Sequence, residues 1–247
     1  MASRGTALLA SALVAMIAIG GAGGYGVGWL TALDRSVAAS GKAMPLGQVT
    51  AAGTSTPMPT APPTDPRNPV PDDSSPLQVD DLSYRSTTVA VTGRTLRSTL
   101  TLDVPDDWKY VAQDPPNNAR FNESLGKRWL RVEGGFPLTR PPSTSMAVKL
   151  KAMLKLQKDE PNQHVQILSQ IDTGHSATLT YRYVPDAALS PNPILKLVIV
   201  RWVADDSGKV MVEMSVTGLP QDEKALRQII DRASDSVVRE DSTLAPS

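Results

Sequence analysis

The chain has 247 residues, with 25 basic and 25 acidic side chains and no cysteine. Charge neutrality without a basic block excludes nucleic-acid binding by phosphate neutralisation. The lack of cysteine excludes disulfides, thiol chemistry and cysteine-ligated metals.

The chain opens on a charge-free run from Gly5 to Leu33, bounded by Arg4 and by Asp34–Arg35. A bilayer core takes about 20 mostly apolar residues as a helix, so this run predicts a transmembrane anchor. Its first half carries Leu8, Leu9, Leu13, Val14, Ile17 and Ile19, and its second half is rich in glycine. Gly20, Gly24 and Gly28 fall at four-residue spacing, a small-xxx-small face that lets two spanning helices approach closely. A homodimer through that face is one expectation, and glycine drift in a weakly hydrophobic anchor is the other. Tyr25 and Trp29 suit an interfacial aromatic belt at the far end. Arg4 and the free amine precede the run, whereas Asp34 and Arg35 cancel beyond it. The positive-inside rule therefore puts the N-terminus in the cytoplasm and the rest of the chain outside. A cleaved signal peptide, with Val37–Ala38–Ala39 as its small-residue site, is the rival. The run exceeds a usual signal h-region, which favours an uncleaved anchor.

This pattern divides the chain into four parts. Residues 1–40 are the tail and anchor, and residues 41–76 are a linker rich in Pro, Thr and Ser. Residues 77–241 are a folded domain, and residues 242–247 are a tail. Prolines at 45, 57, 59, 62, 63, 66, 69, 71 and 76, with few large apolar residues, predict a disordered spacer. Pro59 and Pro62 match a PxxP spacing, which would make part of it a recognition site.

The domain has two phenylalanines to work with, so its core must come from Val, Leu, Ile, Met and tryptophan. Thr87–Val91 reads as a short strand. Ser98–Val104 alternates Leu100, Leu102 and Val104 with polar partners, as a half-buried strand does. Pro105–Asp107 is a turn, after which Trp108, Tyr110 and Val111 resume. Ala119–Asn122 and Arg128–Val132 are further short strands. Ser143–Thr144–Ser145 predicts a helix cap. Met146, Leu150, Met153, Leu154 and Gln157 supply the apolar stripe behind it, and Lys149, Lys151, Lys155 and Lys158 the wet side. Those lysines read either as a solvated face or as a site for an anion or acidic partner.

Four strands follow: Gln163–Ile171 with a phase change, Ala177–Tyr183, Ile194–Val203 and Lys209–Val216. Ile194–Val203 is apolar on both faces, which predicts an interior strand. Asp205–Asp206–Ser207–Gly208 joins the last two as a hairpin, and Asp172–Thr173–Gly174 is a similar turn. Pro220–Gln221–Asp222 opens a final helix whose Leu226, Ile229, Ile230, Ala233, Val237 and Val238 form one stripe. Short connections imply antiparallel pairing. The expected fold is α+β, a mostly antiparallel sheet with two packed helices.

Several phrases carry a resemblance between Leu100 and Arg239. They are Val104-Pro105-x-x-Trp108, Ser143-x-Ser145, Tyr181–Arg182–Tyr183–Val184–Pro185, Val200–Arg201–Trp202, and Met214-x-Val216 leading into the Pro220 helix. This region resembles the PsbP-like domain of actinobacterial cell-envelope proteins, of the type VII secretion-associated kind. The resemblance implies a partner or accessory role at the envelope without catalysis.

No catalytic signature stands beside it. His164 and His175 are the only histidines, without HExxH spacing. GxSxG elbows and phosphate-binding glycine loops are absent. Asp106–Asp107 and Asp205–Asp206 sit in turns, where Asp is expected for backbone reasons. Asn122–Glu123–Ser124 matches a glycosylation sequon. The expectation is a single-pass envelope protein with a protein partner, no cofactor, no metal and no enzymatic activity. Trp108, Trp129 and Trp202 are the candidate lining of a binding groove between sheet and helix. The alternative is a carrier or sensor for an envelope lipid or glycan, and behind it a hydrolase with a cryptic site.

Overall fold

A computed structural model describes residues 67–113 and 116–244. The predicted anchor, with Gly20, Gly24 and Gly28, lies outside these residues, as does most of the predicted linker. Among the described residues no helix is long and apolar enough to cross a membrane.

The elements run β1 (Tyr84–Thr92), β2 (Leu96–Pro105), β3 (Lys109–Val111), β4 (Asn118–Asn122) and β5 (Trp129–Glu133). Helix α1 (Pro142–Asp159) follows, then β6 (Gln166–Asp172), β7 (Ser176–Tyr183), β8 (Lys196–Ala204) and β9 (Val210–Gly218). Helix α2 (Glu223–Ser236) leads into β10 (Val238–Thr243). The α+β class is as expected, but the strands form two sheets where one was expected. Seven strands pair in the order β3-β4-β5-β9-β8-β7-β6, and three in the order β1-β2-β10, antiparallel throughout.

Strand alternation sends every second residue to the same face. One face of the large sheet carries Phe121, Leu130, Val132, Met214, Val216 and Ile199. It packs against Leu226, Ile229, Ile230 and Ala233 of α2 and against Leu100, Leu102 and Val104 of β2. The opposite face carries Leu179, Tyr181, Val198, Val200 and Trp202, which pack against Met153 of α1. Full burial of a side chain of this size contributes about 1.5–3 kcal/mol, so both helices are held by their apolar stripes.

The predicted turns take the form their residues favour. Gly208 has φ +74°, a conformation open to glycine, and the Asp205 carboxylate accepts from the Ser207 and Lys209 amides at 3.0 and 2.9 Å. Where β5 ends, Gly135 passes so close to the β1–β2 hairpin that a Cβ on Gly93 would lie 1.9 Å from the Gly135 carbonyl oxygen.

Several local expectations are corrected. Helix α1 begins at Pro142, with Pro141 at the N-cap and no side-chain cap. Proline suits the first helical position, since its φ is already set and its missing N–H would have no partner there. Ser143–Thr144–Ser145 thus falls inside the first turn. Lys149 is buried rather than wet, and Leu154 is exposed. The phase change in β6 is a register shift between Ile167 and Ser169, yet Ile171 beyond it is exposed. The α2 stripe ends at Val237, because Val238 turns out as the first residue of β10 on β2.

The last part of the predicted linker is tied to the domain. Val70 bridges Ile194, the Arg67 guanidinium donates to the Ser190 carbonyl at 2.7 Å, and Lys127 pairs with Asp72 at 2.9 Å. The anchor of this segment is a buried ion network. Arg128 donates to both Asp222 oxygens at 2.6 and 2.9 Å, to Glu123 at 2.6 Å and to the Ser75 carbonyl at 2.8 Å. Asp222 also accepts from the Leu77 and Leu219 amides. A buried charge must be paired and hydrogen-bonded, and the incoming chain completes that set.

Candidate functional site

Directly opposed residues in a ladder share a face. On the α1 side of the large sheet three rows follow from the register. Asn122, Trp129, Thr217, Val198 and Tyr181 form one row, and Arg120, Arg131, Ser215, Val200 and Leu179 the next. Asn118, Glu133, Glu213, Trp202 and Ala177 form the third. Each row is polar or amphipathic on β4, β5 and β9, and apolar or aromatic on β8 and β7. The apolar half lies under α1. The polar half forms a shelf beside the helix.

Trp129 is the half-buried centre of this shelf. The Arg120 guanidinium lies 4.4 Å from its ring centroid and the Lys196 ammonium 5.7 Å away. The Arg120 Nε donates to Asn122 Oδ1 at 2.7 Å. Arg131 pairs with Glu133 at 3.1 Å, and Glu133 also accepts from Asn117 Nδ2 at 2.8 Å. Glu213 accepts from the Trp202 indole at 2.6 Å. From α1, Lys149 reaches in with only 5% of its surface exposed, facing Glu213, Arg131 and Glu133.

The electrostatics follow from this crowding. Burial pushes the Lys149 ammonium down to about 8, with Arg131 adding to the fall and Glu213 and Glu133 opposing it. Burial also lowers Arg120, and the neighbouring Arg131 charge lowers it further. The Tyr183 hydroxyl beside it is pushed up to about 12 by burial, against the pull of Arg120. Two carboxylates, Glu133 and Glu213, thus face Lys149, Glu133 pairs with Arg131, and Arg120 stands opposite Arg131. Arg120 makes no ion pair with a carboxylate among the described residues. Lys149 has carboxylates nearby but no hydrogen bond to them among the described residues. The shelf therefore offers donors without acceptors among the described residues.

The structure does not bring the three candidate tryptophans together. Trp108 is fully buried in the cluster on the far side of the sheet, with α2. Trp202 is buried under α1, on the same face as Trp129. His164 follows the turn Pro161–Gln163 with φ +47°, and His175 lies exposed next to β7, so the two form no pair. Among the described residues no group of three or more His, Cys, Asp or Glu is placed to hold a metal. Sequence reasoning passed over Arg120, Arg131, Glu133 and Glu213 as site residues, and named Lys149 only among four lysines read as a solvated face or an anion site. Their signal was present: Arg131 and Glu213 are the out-of-phase residues of alternating strands, and Lys149 stands three residues after Met146 on the α1 stripe.

No protein-family model matches the chain, and no curated protein matches it by sequence. Two solved structures show a likeness in shape. One is the Ran-binding protein Mog1p of Saccharomyces cerevisiae, 12% identical with a TM-score of 0.43, covering 63% of this chain and 96% of that one. The other is LpqN, involved in cell envelope biogenesis of Mycobacterium tuberculosis, 16% identical with a TM-score of 0.34, covering 65% of this chain and 94% of that one. At these identities neither transfers a function to this chain.

Proposed function

We propose that the chain is a non-catalytic binding protein of the cell envelope, held by an N-terminal membrane span and acting as an accessory to type VII secretion. The observation that carries the binding reading is the polar shelf around Trp129, an ordered set of cations and amides beside α1 with Arg120, Trp129 and Ser215 left partly open. The charge-free run Gly5–Leu33 and the proline-rich spacer support the envelope address. The short phrases shared with PsbP-like envelope domains support the secretion link. A lipid carrier would need an apolar cavity between sheet and helix. Here Met153, Leu179, Val200 and Trp202 fill that space. A depression of about 510 Å³ lies instead on the outer side of α2, between Val79 and charged side chains such as Lys224, Arg227 and Asp231.

A photo-crosslinking amino acid placed at Ser215 on the shelf, in the full-length chain in its own membranes, tests this reading. A control at Thr88, exposed on β1, marks the opposite side of the domain. The expected result is adducts with secretion components from Ser215 and not from Thr88. Equal capture from both positions, or lipid adducts alone, would overturn it.

A further inference from the structure

The shelf also says what kind of group it takes. Arg120, Arg131 and Lys149 follow one another across β4, β5 and α1, and each of the two arginines sits directly opposite the other in the β4–β5 ladder. Like charges opposite one another in a ladder destabilise a sheet, so this arrangement costs folding energy that a counter-charge would relieve. Glu133 answers Arg131 through an ion pair, and it is already engaged by Asn117. Glu213 is engaged by Trp202. That leaves the outer nitrogens of Arg120 and the Lys149 ammonium without a hydrogen-bond acceptor among the described residues. The Trp129 ring 4.4 Å from the Arg120 guanidinium and the Asn122 acceptor on its Nε hold that guanidinium at two points. A planar fork opposite Arg131, with the Lys149 ammonium on the far side of Arg131, matches an oxyanion with several acceptor oxygens, because charge-assisted and bidentate hydrogen bonds are the strong ones. Lys196, 5.7 Å from the Trp129 ring centroid, extends the positive field along the shelf.

We infer that the shelf formed by Arg120, Arg131, Lys149 and Trp129 is a binding site for a phosphoryl group, carried either by a lipid headgroup or by a free phosphate. This assignment rests on the reading of the domain as a binding protein and narrows its ligand to one chemistry. Arg120 is the direct contact, Trp129 orients it, and Lys149 is the second contact from the helix. Arg131 sets the local field while remaining paired with Glu133.

The test is isothermal titration calorimetry on the full-length chain in non-ionic detergent, with inorganic phosphate and dihexanoyl phosphatidic acid as two separate probes. Arg120→Gln keeps a donor for Asn122 and removes the charge. It is expected to weaken binding about tenfold or more, as loss of a charge-assisted hydrogen bond does. Arg120→Lys is expected to fall between the two, since it keeps the charge without the fork. Arg97→Gln, exposed on β2, is the control and leaves binding unchanged. Binding of both probes supports the site with a free phosphate as sufficient ligand, and binding of the lipid analogue alone supports it with a headgroup as source. Far-UV circular dichroism of each variant keeps misfolding apart from lost binding. Absence of binding by both probes, or equal weakening by Arg120→Gln and Arg97→Gln, would overturn the assignment. Phosphate binding without crosslinked partners at Ser215 would leave the site standing and remove the partner reading, and the reverse result would do the opposite.

Discussion

The two faces of the seven-stranded sheet are built from the same strands and serve different ends. The face toward α2 is apolar from Phe121 on β4 to Leu197 and Ile199 on β8, and it is closed by α2 and β2. The face toward α1 is apolar only over β7 and β8. Over β4, β5 and β9 it carries Asn122, Arg120, Trp129, Arg131, Glu133, Ser215 and Glu213. Burying charge costs several kcal/mol per ion unless it is repaid by partners, so a domain built for stability alone would have continued the apolar pattern. The contrast suits one face to stability and, on the proposed reading, half of the other to recognition. Within one strand, Leu130 and Val132 belong to the first role, and Trp129 and Arg131 to the second.

That division can be broken by substitution, and the largest effects belong to the closed side. Asp222→Ala would strand the Arg128 charge beneath the start of α2 and release the Ser75–Leu77 segment. The expected loss is about 3–5 kcal/mol, read by chemical denaturation. Ile229→Ala would leave a cavity between α2 and the sheet and cost about 2–5 kcal/mol, with phosphate binding unchanged in the folded fraction. Should either change prove mild, the closed face is not the stability element described here.

On the shelf the expected effects are smaller and of a different kind. The Lys149 ammonium sits at about 8 in the folded chain against an ordinary 10.5. The unfolded chain therefore binds more protons between those values, and stability from this group rises as pH increases through that window. The wild type should gain roughly 1–3 kcal/mol relative to Lys149→Met between pH 8 and 10.5, measured by denaturation at matched ionic strength. A difference that stays flat with pH would mean that the lysine is solvated. Arg120→Gln removes both the repulsion from Arg131 and the contact with Trp129, effects of opposite sign, so it should shift stability by less than about 1 kcal/mol while weakening phosphate binding about tenfold. The smallest effect is expected at the exposed Lys155–Asp159 pair on α1, where Lys155→Ala should change the melting midpoint hardly at all.

Much of this architecture was legible because it follows from period. The stripe from Leu226 to Ala233 and the alternation in β2, β7 and β9 state their elements directly, and Asp205–Gly208 states its turn. Three things were hidden. The separation into two sheets depends on which strands meet across long sequence distances, as β10 meets β2, and no local pattern records that. The ordering of residues 70–77 depends on a buried partner, Arg128, that lies far along the chain. The shelf was missed because its members look like ordinary solvent-side residues of half-buried strands. Only the register shows that Arg120, Arg131 and Ser215 stand in one row. The tryptophans drew attention by rarity, yet Trp108 and Trp202 serve the core, and Trp129 alone of the three is left partly open.

Hydroxyl-radical footprinting of the full-length chain tests the division of labour most directly, because it reads side chains one at a time. The comparison is between the chain in its own membranes and the chain purified in detergent. The account predicts that Trp129 is protected from oxidation in the membranes, while Tyr110, half exposed on β3, is oxidised equally in both settings. Equal oxidation of Trp129 in both settings would contradict the claim that the shelf is where this protein meets its ligand.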